Sequence, residues 1–128
     1  MLELKPISAT RIVASPAALD KAVWPVAALV LRVASDEALI TPPIEGLTLD
    51  DPYAIIVPDG GFAAGWVAAE EALAFLERAC EWELPSQRPA LAQGAVAGVP
   101  VKLWLEEERV LFVVPGPYVH DFGERYLP

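Results

Sequence analysis

Cysteine, histidine and methionine each occur once among the 128 residues, and asparagine does not occur at all. A single thiol, Cys80, excludes an intrachain disulfide and a thiolate metal cluster. With His120 as the sole imidazole, a multi-histidine metal centre is excluded too. Without asparagine there is no N-glycosylation acceptor and no catalytic Asn. Few Asn, Cys and Met beside 13 prolines suit a heat-adapted source or a biased base composition. Basic residues are scarce as well: nine Lys and Arg face eighteen Asp and Glu, giving a formal charge of −9. Such a field repels phosphate backbones and anionic lipid heads, so no nucleic acid and no membrane surface is expected as a partner. Long apolar runs are missing despite a mean hydropathy of +0.40. The run 22–31 is closed by Lys21 and Arg32, and the run 89–101 is interrupted by Pro100 and two glycines. A spanning helix needs about 20 apolar residues. The first twenty residues carry no signal-peptide pattern, and a soluble, cytoplasmic protein is expected.

What is abundant is apolar material. Hydrophobic residues make up 55% of the chain and charged ones 21%, which excludes intrinsic disorder and leaves a surplus for an interface. The length suits a single domain, 1–128, with the polar stretch 45–52 as a seam between two halves. No clear sequence repeat is visible.

In the first half, 10–14 reads as a strand, and Ser15-Pro16 as an N-cap followed by proline at the first helical position, opening a helix through Lys21. Residues 29–33 and 38–41 read as strands around a Ser35-Asp36 hairpin, the second ended by Pro42-Pro43. In the second half, 53–57 is a strand, Pro58-Asp59-Gly60-Gly61 supplies a reversal, and 62–67 continues beyond it. A helix is predicted over 68–81, with Ala69, Ala72, Leu73, Leu76 and Cys80 on its buried stripe. Strands follow at 90–97, 99–105 and 110–114, the last fully apolar and suited to the sheet centre. Gly116-Pro117 then opens a helix whose Val119, Phe122 and Tyr126 face the sheet. The fold expected is α+β, an antiparallel or mixed sheet with two helices packed on one face.

Chemistry-bearing residues are few. Cys80 and His120 are the only candidates for a nucleophile–base pair, and each also has a plain structural role. Cys80 sits on the helix stripe as a small apolar residue, and His120 stands four residues before Glu124, the spacing of a surface pair. Glu106-Glu107-Glu108 reads as a solvated hairpin turn and Asp50-Asp51 as a turn initiator before Pro52. Gly94 and Gly98 make no phosphate loop, since no Lys-Ser/Thr follows them. Four tryptophans stand out (Trp24, Trp66, Trp82 and Trp104), because interfaces are enriched in indoles. Trp82 and Trp104 are the interface candidates.

The run Glu71-Ala72-Leu73-Ala74-Phe75-Leu76-Glu77-Arg78-Ala79-Cys80-Glu81-Trp82-Glu83-Leu84 resembles a segment of the glycine-cleavage T-protein superfamily. It is more similar to the gamma subunits of heterotetrameric sarcosine oxidase, with Cys80 at the cysteine of a Gly-Cys pair and Glu83-Leu84 in place of Asp-Leu. Leu31-Arg32-Val33-Ala34-Ser35-Asp36-Glu37-Ala38-Leu39 resembles the gamma-subunit hairpin, and 110–126 its last strand and closing helix. The resemblance covers roughly residues 29–127. Its departures are informative: the hairpin region 94–103 has no acidic residue where folate-using aminomethyltransferases carry an Asp-Asp stretch. No catalytic residue is therefore carried over, and Glu83 is the one position where an acidic family residue persists. The resemblance implies a T-protein-like fold and a non-catalytic accessory subunit in one-carbon amine metabolism, with a protein partner or a homo-oligomer. The alternative it implies is a small folate- or amine-binding protein, with tetrahydrofolate as ligand and residual aminomethyltransferase activity. A Cys80-dependent enzyme is a third reading.

Overall fold

In the computed structural model, which describes residues 1–127, the elements in chain order are β1 (Lys5–Pro6), β2 (Ala9–Val13), α1 (Pro16–Lys21), β3 (Leu29–Ala34), β4 (Glu37–Thr41), β5 (Ile55–Asp59), β6 (Phe62–Ala68), α2 (Ala69–Ala79), β7 (Ala90–Val96), β8 (Val99–Leu105), β9 (Arg109–Pro115) and α3 (Val119–Tyr126). A 3-10 turn, Gly116–Tyr118, leads into α3. The strands form two antiparallel sheets, and the fold is α+β. The chain divides into a smaller unit, Ile7–Gly60, and a larger one that joins Met1–Pro6 to Gly61–Pro128.

In the smaller unit the Ser15 hydroxyl accepts the Ala18 N–H at 3.2 Å, and Pro16 occupies the first turn of α1. A cap of this kind contributes about 1 kcal/mol. Helix α1 buries Ala18 and Leu19 in a cluster with Ile12, Ala38 and Ile40, from a sheet ordered β3-β4-β2-β5. The stretch 45–52 lies within this unit and is tied down at its end: Asp51 accepts the N–H of Ser15 at 2.8 Å and of Tyr53 at 2.9 Å. That side chain, with the Ala54 N–H donating to the Asp51 carbonyl, holds 51–54 in a turn. The strand expected from Tyr53 therefore begins at Ile55.

The larger unit has sheet order β1-β6-β9-β8-β7, with apolar β9 at its centre as its composition demands. Helices α2 and α3 pack on this sheet through Phe75, Phe112, Phe122 and Tyr126, with the Phe75 and Phe112 rings 4.5–6.1 Å, centroid to centroid, from each other and from the other two. The buried stripe of α2 is Ala72, Phe75 and Leu76, and Leu73 is exposed. The expected stripe is thus rotated, because the Phe75 ring meets three other rings and turns the helix toward them.

The reversal expected at Pro58-Asp59-Gly60-Gly61 does not occur. Strands β5 and β6 do not pair; β5 belongs to the sheet of the smaller unit and β6 to that of the larger. A two-residue hairpin requires left-handed backbone at its centre, and among the described residues only Ala97, Gly46 and Gly98 adopt it. The Gly60-Gly61 link therefore passes the chain from one sheet to the next. The link after β1 does the same: β1 pairs with β6, while the β2 that follows it pairs with β5.

This exchange exposes a repetition. In the smaller unit β2-α1-β3-β4 gives the order β2-β4-β3, and in the larger β6-α2-β8-β9 gives β6-β9-β8, with β7 added beside β8. Each first strand, β2 or β6, carries an antiparallel outer neighbour supplied by the segment leading into the other sheet. The stretch 45–52 falls between the two copies of the arrangement, although no sequence repeat reveals them.

Candidate functional site

Cys80 terminates α2: its N–H donates to the Leu76 carbonyl at 2.9 Å and its thiol to the Trp82 carbonyl at 3.3 Å. It is half-buried against the core of the larger unit. His120 projects from α3 with its side chain 84% exposed and its Nε2 at 3.0 Å from Glu124, the i,i+4 pair its spacing predicts. Each has its own partner, and nothing joins them into a dyad. Glu83 is exposed in the loop after α2. Asp50 pairs with Lys21 at 2.6 Å. Among the described residues no group of three or more His, Cys, Asp or Glu is placed to hold a metal ion, and no helix is long and apolar enough to cross a membrane.

The two tryptophans singled out as interface candidates are both half-buried and internally hydrogen-bonded. Trp82 donates its indole N–H to the Ala95 carbonyl at 2.8 Å. Its ring lies so close to the β7 backbone that a Cβ on Gly94 would stand 2.7 Å from it. Trp104 donates to Glu106 at 3.0 Å, and Arg109 donates to the other oxygen of the same carboxylate at 2.9 Å. The acidic turn is thus divided: Glu106 organises the strand ends, and Glu107 and Glu108 face solvent. The more exposed indole is Trp66, with the Arg109 guanidinium stacked 3.6 Å above it.

Three carboxylates have pKa values held below their ordinary range. Glu71 accepts hydrogen bonds first from the N-terminal ammonium, at 2.7 Å, and then from the Tyr126 hydroxyl. Burial and that same carboxylate push the Tyr126 hydroxyl well above its usual range. Glu106 is lowered mainly by Arg109, and Asp50 by Lys21. A carboxylate whose folded pKa is depressed stabilises the fold above its unfolded value and loses that contribution as pH falls through the folded one. Stability should therefore be level near neutrality and decline below about pH 4.5, the ordinary carboxylate range. The urea midpoint followed from pH 7 to 2 checks this, and Glu71→Gln should flatten part of the acid limb.

Two features depend on tertiary structure and not on any local motif. The first is β5, the outermost strand of its sheet, where Ile55, Ile56 and Val57 are 55%, 41% and 41% exposed. Its β-branched run signalled a strand, but its edge position depends on the exchange of β1 and β5 between sheets. The second is a cleft of about 520 Å³ bounded by Arg78, Trp82, Ala97 and Arg125. A larger open groove, about 770 Å³, runs between 21–25 and 44–50 beside Trp24. No family model matches the chain, and no curated protein matches it.

Proposed function

We propose that the chain is a non-catalytic interaction domain that receives an extended segment of a protein partner on strand β5. The observation that carries this reading is the β5 edge, a β-branched strand exposed on both faces with one side open to further pairing. An edge of this kind is a template for strand addition, in which main-chain hydrogen bonds supply affinity and alternate side chains supply selectivity. The chain charge of −9 favours a partner segment flanked by basic residues. The quoted resemblance to sarcosine oxidase gamma subunits supports the same role: its segments fall on the β3–β4 hairpin, on α2 and on β9 with α3. On that reading the partner is an oxidoreductase subunit of one-carbon amine metabolism.

The test is a native pull-down with the partner identified by mass spectrometry, repeated with Ile55→Lys/Val57→Lys. Both residues are exposed, so thermal stability should change little, about 0.5 kcal/mol per site. Capture of an oxidoreductase subunit should fall at least about tenfold, as two lysines on the receiving strand oppose pairing and repel a basic partner. Equal capture by the variant overturns the β5 assignment. A strictly monomeric wild-type chain that retrieves nothing, and is stabilised instead by tetrahydrofolate, favours a small folate-binding protein.

A further inference from the structure

The charged groups of this acidic chain are unevenly satisfied. Lys5, Arg11, Lys21, Arg32 and Arg109 each have a carboxylate within 4 Å. Arg78, Arg88 and Arg125 depart from this pattern: in a chain with twice as many acids as bases, the hydrogen bonds of each among the described residues go to main-chain carbonyls, and of the three Arg78 and Arg125 line a common cleft. Arg78 leaves the last turn of α2, stacks 5.0 Å over the Phe75 ring and reaches the Tyr126 carbonyl at 3.4 Å. Arg125 leaves the last turn of α3 and donates to the Ala97 carbonyl at 2.6 Å. Both arginines are exposed side chains that line this one cleft, and a guanidinium carries five N–H donors.

The walls of that cleft are fixed. The Trp82 indole is pinned by its bond to the Ala95 carbonyl and by close approach to Gly94. The β7–β8 turn forms the rim, with Ala97 at φ 50° and Gly98 at φ 78°. Left-handed backbone at an alanine is unfavourable, and here it is held on both sides. The Ala97 N–H donates to the Ala79 carbonyl at 2.8 Å, and its own carbonyl accepts from Arg125. Gly98 leaves room for the guanidinium, since a Cβ there would lie 3.0 Å from Arg125 Nη1. The cleft, about 520 Å³, is within the range of small-molecule sites. Glu81 also lines it, so two arginines and one carboxylate leave a net charge of +1, matched to a monoanion.

We propose that this cleft binds a small carboxylate ligand, held by the guanidinium groups of Arg78 and Arg125 with the Trp82 indole as its wall. Planar guanidinium forks match a carboxylate in shape and charge, and the indole offers an apolar surface to the rest of the ligand. The assignment is independent of β5 and of any partner strand.

An NMR titration of the labelled, full chain with sodium benzoate tests it, with acetate, phosphate and chloride as parallel arms at constant ionic strength. The Trp82 indole and the Arg78 and Arg125 Nε–H signals should shift and saturate with benzoate, more weakly with acetate. Arg78→Gln and Arg125→Gln should each weaken benzoate binding roughly tenfold or more, the effect of losing a charged hydrogen-bond donor. Arg125→Lys keeps the charge and tests the fork itself, and thermal unfolding of each variant reports the fold separately. Shifts that match those with chloride, tighter binding of phosphate than of benzoate, or a folded Gln variant that binds as well as the wild type would overturn the proposal.

Discussion

Phe112→Ala should lower the unfolding free energy by about 3–5 kcal/mol, the usual cost of emptying a buried aromatic position. Phe112 is fully buried in β9, the central strand of its sheet, and its ring lies 6.1 Å from Phe75 and 5.9 Å from both Phe122 and Tyr126. Those three rings come from α2 and α3, so the substitution removes the surface on which both helices rest. Domains of this size have net stabilities of about 5–15 kcal/mol, so the variant should be partly unfolded on mild warming. Urea denaturation followed by far-UV circular dichroism measures the change. A loss below about 1 kcal/mol, an ordinary surface value, would mean that the aromatic cluster is not the anchor of the helices.

The second large effect is expected from a smaller substitution. Gly94→Ala adds one methyl, but that carbon would stand 2.7–2.9 Å from three atoms of the Trp82 indole. Contacts that short do not persist, so either the strand or the ring must move. The ring is tied to the Ala95 carbonyl, and the strand is paired along its length with β8. A cost of about 1–3 kcal/mol follows, typical of overpacking. The chain has four indoles, so the Trp82 N–H can be followed as one of four resonances. It should shift and lose its protection from exchange, and the wall of the carboxylate cleft should move with it. An unchanged indole signal and unchanged stability would contradict the packing of Trp82 on β7.

Much of the fold was legible because its causes are local. Ser15-Pro16 opens α1 through a cap that involves only neighbouring residues. The alternation of Val101, Leu103 and Leu105 with Lys102 and Trp104 marks β8 as a strand buried on one face, and the unbroken apolar run of β9 marks a central strand. The spacing of His120 and Glu124 gave their pairing directly. The structure departs from local pattern where distant residues compete. In α2, Ala72 and Leu76 are buried as their spacing predicts, but Phe75 rather than Leu73 completes the stripe, because rings from β9 and α3 decide between two equally apolar residues. Gly60-Gly61 has the composition of a hairpin but not its left-handed backbone.

The candidate sites follow the same division. Cys80 and His120 are each the single member of their type, yet each is satisfied by a near neighbour in sequence. Arg78 and Arg125 carry no motif, lie 47 positions apart in the chain, and become a pair only because α2 and α3 end beside the β7–β8 turn. The scarcities of the composition act by themselves: one thiol cannot form an intrachain disulfide or a thiolate cluster, and one imidazole cannot make a multi-histidine centre. Local pattern then determined the α+β class and most of the strands, since capping and alternation act within a few residues. Tertiary structure decided which strand lies at an edge, which arginines share a cleft and which tryptophans are pinned. Those are consequences of long-range pairing, and no window of sequence contains both partners.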